Sequence, residues 1–264
     1  MGAYFRRLDE SRFQPTEHAG GAWASAELHL SPLAGLIVHA IDGFAAAQTA
    51  TGLVVSRISY DILGRLADDM CDIRVEAIRP GRTIELLEAT LSIGGRPVIR
   101  ARAWLLGEFD TRAVAGGGDK PLPDPEGLAS WPMSSIWPGG YIASIDVRPV
   151  VPIEPGRAIA WLSTPHALVE GEDASPLASH VTLVDTANGL AARESPNAWL
   201  FPNVDLTIHL HRQPEGRWVG LDSSAVFGPT GHGITSSVLH DVAGPIGRVQ
   251  QMLTVRPASR SVGA

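Results

Sequence analysis

Between Ser31 and Phe44 the apolar side chains return at Leu33, Leu36, Ile37, Ala40, Ile41 and Phe44. That spacing of i, i+3, i+4, i+7 draws one continuous stripe along a helix. Ser31 is expected to cap it and Pro32 to sit in its first turn, where neither residue disturbs the hydrogen-bond ladder. Beyond Gly52 the period changes to two. Ile73, Val75 and Ala77 alternate with Asp72, Arg74 and Glu76, and Ile99, Ala101, Ala103 and Leu105 with Arg100 and Arg102. Alternation of this kind marks half-buried antiparallel strands, and Pro80-Gly81 and Gly94-Gly95 supply the turns between them. The predicted unit is one long helix followed by a meander.

The pattern then occurs again. Ser31-Pro32-Leu33-Ala34, with Asp42 further on, is matched by Ser175-Pro176-Leu177-Ala178 and Asp185, an offset of about 144. Gly95-Arg96-Pro97-Val98-Ile99-Arg100 is echoed by Ala243-Gly244-Pro245-Ile246-Gly247-Arg248. A second helix is expected from Ser175 to about Ala192, with strands around 199–211, 217–227, 233–240 and 247–255 and an extra strand over 141–150 leading in. The Gly- and Pro-rich stretch 108–139 reads as a linker between units 1–107 and 140–264. The expected class is α+β, each unit a long helix wrapped by an antiparallel sheet. Pairing two such units edge to edge gives one extended sheet and removes an exposed edge.

Composition narrows the partners. Of 264 residues 44% are hydrophobic, enough for a sizeable core, and 28 acidic against 21 basic side chains leave a formal charge of −7. No run of Lys or Arg offers a footprint for nucleic acid or an anionic membrane. A single cysteine, Cys71, rules out an internal disulfide framework and suits a reducing compartment, so the cytoplasm is expected. Met1 to Gly21 has no apolar stretch behind its arginines, and neither a leader nor a membrane span is expected.

Three segments together resemble a known family. They are Ser31-Pro32-Leu33-Ala34-Gly35-Leu36, Ile78-Arg79-Pro80-Gly81-Arg82-Thr83-Ile84, and Leu239-His240-Asp241 through Val249-Gln250-Gln251-Met252-Leu253-Thr254-Val255-Arg256. In order and spacing they resemble the double hot-dog acyl-CoA thioesterases of the acyl-CoA thioesterase II type, over nearly the whole chain except the linker. The resemblance implies a tandem hot-dog fold, hydrolysis of fatty acyl-CoA thioesters by a water nucleophile without metal or cofactor, and a homo-oligomer. It also implies that an Asp, a Thr and a Gln orient the water. By position these are Asp185, Asn203 in place of the Thr, and Gln251.

The residues carry part of this by themselves. On a helical wheel Asp185 borders the stripe formed by Leu177, Val181, Val184 and Ala191, with Asn188 in its middle. A carboxylate there is costly unless paired or functional, and Arg193 is the neighbour that would make it structural. Gln251 alternates with Val249, Leu253 and Val255, so its amide needs a partner among apolar neighbours. Asn203 falls on the polar side of its strand with Asp205, Thr207 and His209, opposite Val204, Leu206 and Ile208, and points outward unless a bulge at Pro202 re-aims it.

For the rest of the substrate, the helix start at Ala34-Gly35 is the candidate donor of oxyanion hydrogen bonds. Arg79, Arg82, Arg100 and Arg102 are candidates for the anionic coenzyme A, or else ordinary outward strand residues. His39 and Asp42 fall off the apolar stripe, where a solvated or hydrogen-bonded role is expected first, and they remain candidates for a second site. His209, His211, His232 and His240 lack an acidic or cysteine ligand at metal spacing, and no metal is expected. There is no G-x-S-x-G elbow for a serine hydrolase and no D-x-N-P-x-H segment of hot-dog hydratases. A hydratase and a non-catalytic acyl-CoA or lipid-binding protein remain the alternatives.

Overall fold

The computed structural model describes residues 2–21, 23–48 and 52–258. Strands β1 (Ala3–Arg7) and β2 (Arg12–Pro15) precede helix α1 (Leu30–Ala46). A meander follows: β3 (Leu53–Ile62), β4 (Cys71–Arg79), β5 (Ile84–Ile93) and β6 (Arg96–Gly107). Past the Gly/Pro-rich stretch, a helical turn α2 (Gly140–Ala143) leads into β7 (Asp146–Pro149), β8 (Arg157–Ser163) and β9 (Ala167–Val169). Helices α3 (Pro176–Val184) and α4 (Thr186–Leu190) come next. The chain ends in β10 (Trp199–Leu200), β11 (Asp205–Leu210), β12 (Val219–Phe227), β13 (His232–Asp241), β14 (Gly244–Thr254) and β15 (Arg256–Pro257).

Among the described residues, thirteen strands form one sheet in the order β7-β8-β12-β13-β14-β11-β3-β6-β5-β4-β2-β1-β9. The two halves of the chain meet at β3 and β11, antiparallel, with Asp61 opposite Asp205 and Arg57 opposite His209. β9 lies on the far edge, parallel to β1, yet only residues 164–166 separate it from β8 near the opposite edge. Those residues reach at most roughly 14 Å. The sheet must therefore curl until its edges approach. Tyr4 in β1 joins them, its hydroxyl 2.8 Å from Ser144 Oγ and 2.9 Å from Thr164 Oγ1.

Inside this curl α1 packs antiparallel against α3. Asp42 near the end of α1 accepts a 2.6 Å hydrogen bond from Ser175, the residue capping α3, while His29 ahead of α1 lies beside Asp185 at the end of α3. At the crossing, a Cβ on Gly35 would fall on Thr182 Oγ1 and within 2.8 Å of the Ala178 carbonyl oxygen. Only hydrogen fits there. Every residue of α1 from Leu30 to Val38 is buried, because its first two turns are covered by α3 on one side and the sheet on the other.

Several expectations are corrected. The cap of α1 is His29, whose Nδ1 accepts from Ser31 N–H at 3.1 Å; Ser31 is already inside the helix. The second helix is broken at Asp185, where the Thr182 carbonyl, the acceptor for the Thr186 N–H in an unbroken helix, is met at 3.1 Å by the Tyr141 hydroxyl. The extra strand over 141–150 is the turn α2 followed by the short β7. Much of the Gly/Pro-rich stretch is tied down. Trp161 donates its indole N–H to Pro123 O at 2.7 Å, Arg248 pairs with Asp119 at 2.7 Å, and Met133 and Trp137 are buried.

Gly35→Ala tests the helix crossing. Alanine gains roughly 1 kcal/mol of helix propensity, but here its methyl meets backbone and the base of a β-branched side chain, and overpacking costs about 1–3 kcal/mol. The net expectation is a lower urea midpoint with an unchanged slope; an increase in stability would contradict the close contact.

Candidate active site

Three elements bring the three polar residues singled out in the sequence to one point. Asp185 occupies the break between α3 and α4, and its Oδ1 accepts from Asn203 Nδ2 at 2.8 Å and from Gln251 Nε2 at 2.7 Å. Gln251 is held on β14 with its amide turned inward and is 1% exposed. Arg193 takes no part.

Asn203 reaches Asp185 because the ladder slips. Continuing the pairing of Thr207 with Gln250 would set Val204 opposite Leu253, but Leu253 faces Asn203 instead. One extra residue is therefore accommodated before β11, and a one-residue slip exchanges the two faces. Asn203 turns in, and Val204, expected on the apolar face, is 44% exposed. Met252 N–H donates to Asp205 Oδ1 at 2.6 Å and holds the bulge from outside.

His29 completes the site and was not among the sequence candidates. Its Nδ1 lies 3.6 Å from Asp185 Oδ2, and its ring stacks on Tyr141 with centroids 4.2 Å apart. Because Nδ1 accepts the Ser31 N–H, the ring proton belongs on Nε2. Burial lowers the imidazole to about 3, so the two groups are a neutral ring beside a carboxyl and not an ion pair. The sequence signal lay in a His two residues before Ser31-Pro32, a position able to cap.

The Asp185 carboxyl is raised by burial to about 6, against the pull of Asn203 and Gln251 toward the ionised form. Both donors sit on Oδ1, which leaves Oδ2 as the oxygen able to take a proton. Asp185 lines two hollows. One is a cleft of about 180 Å3 whose walls include Trp23, His29, Leu30, Arg65 and Asn203; the other is a chamber of about 30 Å3 behind Trp23, bounded by Thr186, Asn188 and Trp137. The chamber has room for a water, and Asn188 Oδ1 in its wall is buried without a partner among the described residues. At the cleft, Leu30 is the first residue of α1, so its N–H precedes the helical ladder.

Other candidates lie elsewhere. Gly35 is in the interior of α1, where its N–H belongs to the helix and its face is sealed by Thr182. Arg79 is level with Arg57 and His209 through the chain of paired residues, whereas Asp185 adjoins the Asp61–Asp205 end. It stands four strands from β11, roughly 19 Å at 4.8 Å per strand, and donates to Ile84 O at 2.6 Å; Arg82 lies beyond it in the same turn. Arg100 and Arg102 both pair with Glu88, at 3.5 and 2.8 Å. Arg65, paired with Glu27 at 2.7 Å, is the cation that lines the cleft. His39 is bound to Glu172, which Arg7 and His39 hold down at about 2, and Asp42 is bound to Ser175. Among the described residues no group of three or more His, Cys, Asp or Glu side chains is placed to hold a metal. None of their helices is long and apolar enough to cross a membrane.

Residues 20–106 match the family model of the acyl-CoA thioesterase N-terminal domain, and residues 121–255 that of the acyl-CoA thioesterase C-terminal domain. Among solved structures, a hot-dog-fold protein of unknown function from Alicyclobacillus acidocaldarius superposes with a TM-score of 0.71 at 13% identity, over 95% of each chain. An acyl-CoA thioesterase II of Mycobacterium marinum gives 0.66 at 13% identity over 98% of this chain and 97% of its own. The tesB protein of Mycobacterium avium subsp. paratuberculosis gives 0.64 at 18% identity over 96% of each. At these identities the structures show a shared fold, α+β of the hot-dog kind. No curated protein matches the sequence.

The raised carboxyl has a thermodynamic sign. Its folded value, about 6, exceeds the ordinary 3.8, so the native state resists ionisation and loses stability as pH rises between those values. Asp185→Asn, whose amide oxygen still faces Asn203 and Gln251, is therefore expected to unfold at a higher urea concentration than the parent at pH 8. That advantage should vanish near pH 4; a variant less stable at pH 8 would contradict the reading.

Proposed function

The chain belongs to the acyl-CoA thioesterase family, and from that premise we propose that it hydrolyses acyl-CoA with a water activated by Asp185. The observation that carries this reading is a desolvated carboxyl that lines a cleft, with both amide donors on one oxygen and none on the other. A general base works best with a value near the working pH, and burial has moved this one there. The water occupies the small chamber, its two hydrogens directed at Asp185 Oδ2 and Asn188 Oδ1. Asp185 takes one proton as the water oxygen attacks the thioester carbonyl carbon. The Leu30 N–H, at the positive end of α1, meets the oxygen that becomes negative. Collapse of the tetrahedral adduct breaks the carbon–sulfur bond and releases coenzyme A as a thiolate, which needs no strong acid.

Asn203 in the place of the family's Thr keeps the hydrogen bond to Asp185 in this scheme. The wider reading is of two hot-dog units in tandem, 1–107 and 140–264, acting as a homo-oligomer in the cytoplasm. The repeated sequence and the antiparallel β3–β11 seam between the two halves support the tandem. Arg79 and Arg82 enter this proposal only as remote contacts for the far end of coenzyme A.

Thiol release from an acyl-CoA panel tests it. Asp185→Asn is expected to lower the rate by about 10²–10⁴, and the parent's kcat/KM should fall below about pH 6 as the carboxyl protonates. Binding of acyl-CoA without any thiol release would favour a non-catalytic binding protein instead. A parent rate in the folded Asn variant would remove Asp185 from the chemistry.

A further inference from the structure

The cleft that leads to Asp185 is small. At about 180 Å3 it is below the roughly 300–1,000 Å3 usual for small-molecule sites and close to the roughly 150 Å3 that encloses one benzene. Trp23 stands in its wall, with an aromatic cluster behind it. The Trp23 ring meets Trp137 edge-on with centroids 4.9 Å apart and Phe201 at 5.2 Å, and Phe201 is backed by Phe227 at 5.5 Å. Trp137 is held in turn. It is 3% exposed and donates its indole N–H to Gly189 O at 3.0 Å, and Gly189 lacks the Cβ that would come within 3.3 Å of that nitrogen.

The larger hollows among the described residues stand away from this wall. A hollow of about 370 Å3 lies at the Val54–Leu210 end of the β3–β11 seam, and hollows of about 370 and 780 Å3 lie at the Asp42 end of α1. Between the last two and Asp185 stands the contact of Gly35 with Ala178 and Thr182, too close to admit a single added carbon.

We propose that the site is built for a compact acyl group, of up to about six carbons or a single aromatic ring, and that Trp23 sets this limit. The inference rests on the reading of the cleft as a thioesterase site. Trp23 is the replaceable part of the wall. It sits on the loop before α1 and is 37% exposed, whereas Trp137 and Phe201 are buried. Removing its indole adds that volume to the cleft without emptying the core.

The test is kcat/KM over acetyl-, butyryl-, hexanoyl-, benzoyl-, octanoyl- and palmitoyl-CoA for the parent, Trp23→Ala and Trp23→Phe. The parent is expected to favour the butyryl to benzoyl range and to lose roughly 10-fold or more at octanoyl and beyond. Trp23→Ala should move the optimum to longer chains, with Trp23→Phe between. A parent that accepts palmitoyl-CoA as well as hexanoyl-CoA, or an unshifted optimum in Trp23→Ala, overturns the proposal. If no member of the series is hydrolysed, the thioesterase reading fails separately. Calorimetric binding of the same series then decides the pocket: tighter binding of compact acyl groups upholds it, and equal or tighter binding of palmitoyl-CoA overturns it.

Discussion

α1 and α3 approach so closely at Gly35 that no side chain fits between them, and the position of the site follows from that contact. Because the helices run antiparallel, the crossing brings the start of α1 to the end of α3. His29, Leu30 and Asp185 are neighbours for this reason. The sheet enforces the contact from outside, since β8 and β9 are joined by three residues yet stand near opposite edges of thirteen strands.

The same enclosure shifts the Asp185 carboxyl and makes it costly to ionise. Desolvation raises its carboxyl, and two amide donors on one oxygen limit the penalty without abolishing it. A neutral imidazole at the remaining oxygen adds no opposing charge. Had His29 been solvated and cationic, it would have pulled the carboxyl down. Burying the ring against Tyr141 and using Nδ1 as the helix cap removes that effect, so one hydrogen bond serves both the start of α1 and the electrostatics of the site.

The stretch that connects the halves is part of the site's wall. Met133 and Trp137 come from it and pack on Gly189, one turn past Asp185. A segment rich in Gly and Pro resists helix and strand alike, which lets it follow an irregular surface and set single large side chains where a regular element has none. The shape of the chamber beside Asp185 therefore depends on residues outside the helix and the strands that carry the polar groups.

Local patterning was enough for the helix stripe from Leu33 to Phe44, the alternating strands and the repeat, because each depends on side chains spaced along one element. It was also enough to flag Asp185 and Gln251, since a polar group in an apolar row must be satisfied wherever the row is buried. It could not place Asn203, whose inward turn comes from a one-residue slip against Leu253 on another strand. Nor could it bring His29 to Asp185, more than 150 positions later, or show that Gly35 serves packing and that Arg79 stands strands away. The break at Asp185 likewise depends on Tyr141, more than forty positions earlier. Periodicity is a property of one segment, so the sequence by itself determined the elements and their buried faces. Which segments touch, and at what register, depends on how a curled sheet closes over two helices, and that only the tertiary structure decided.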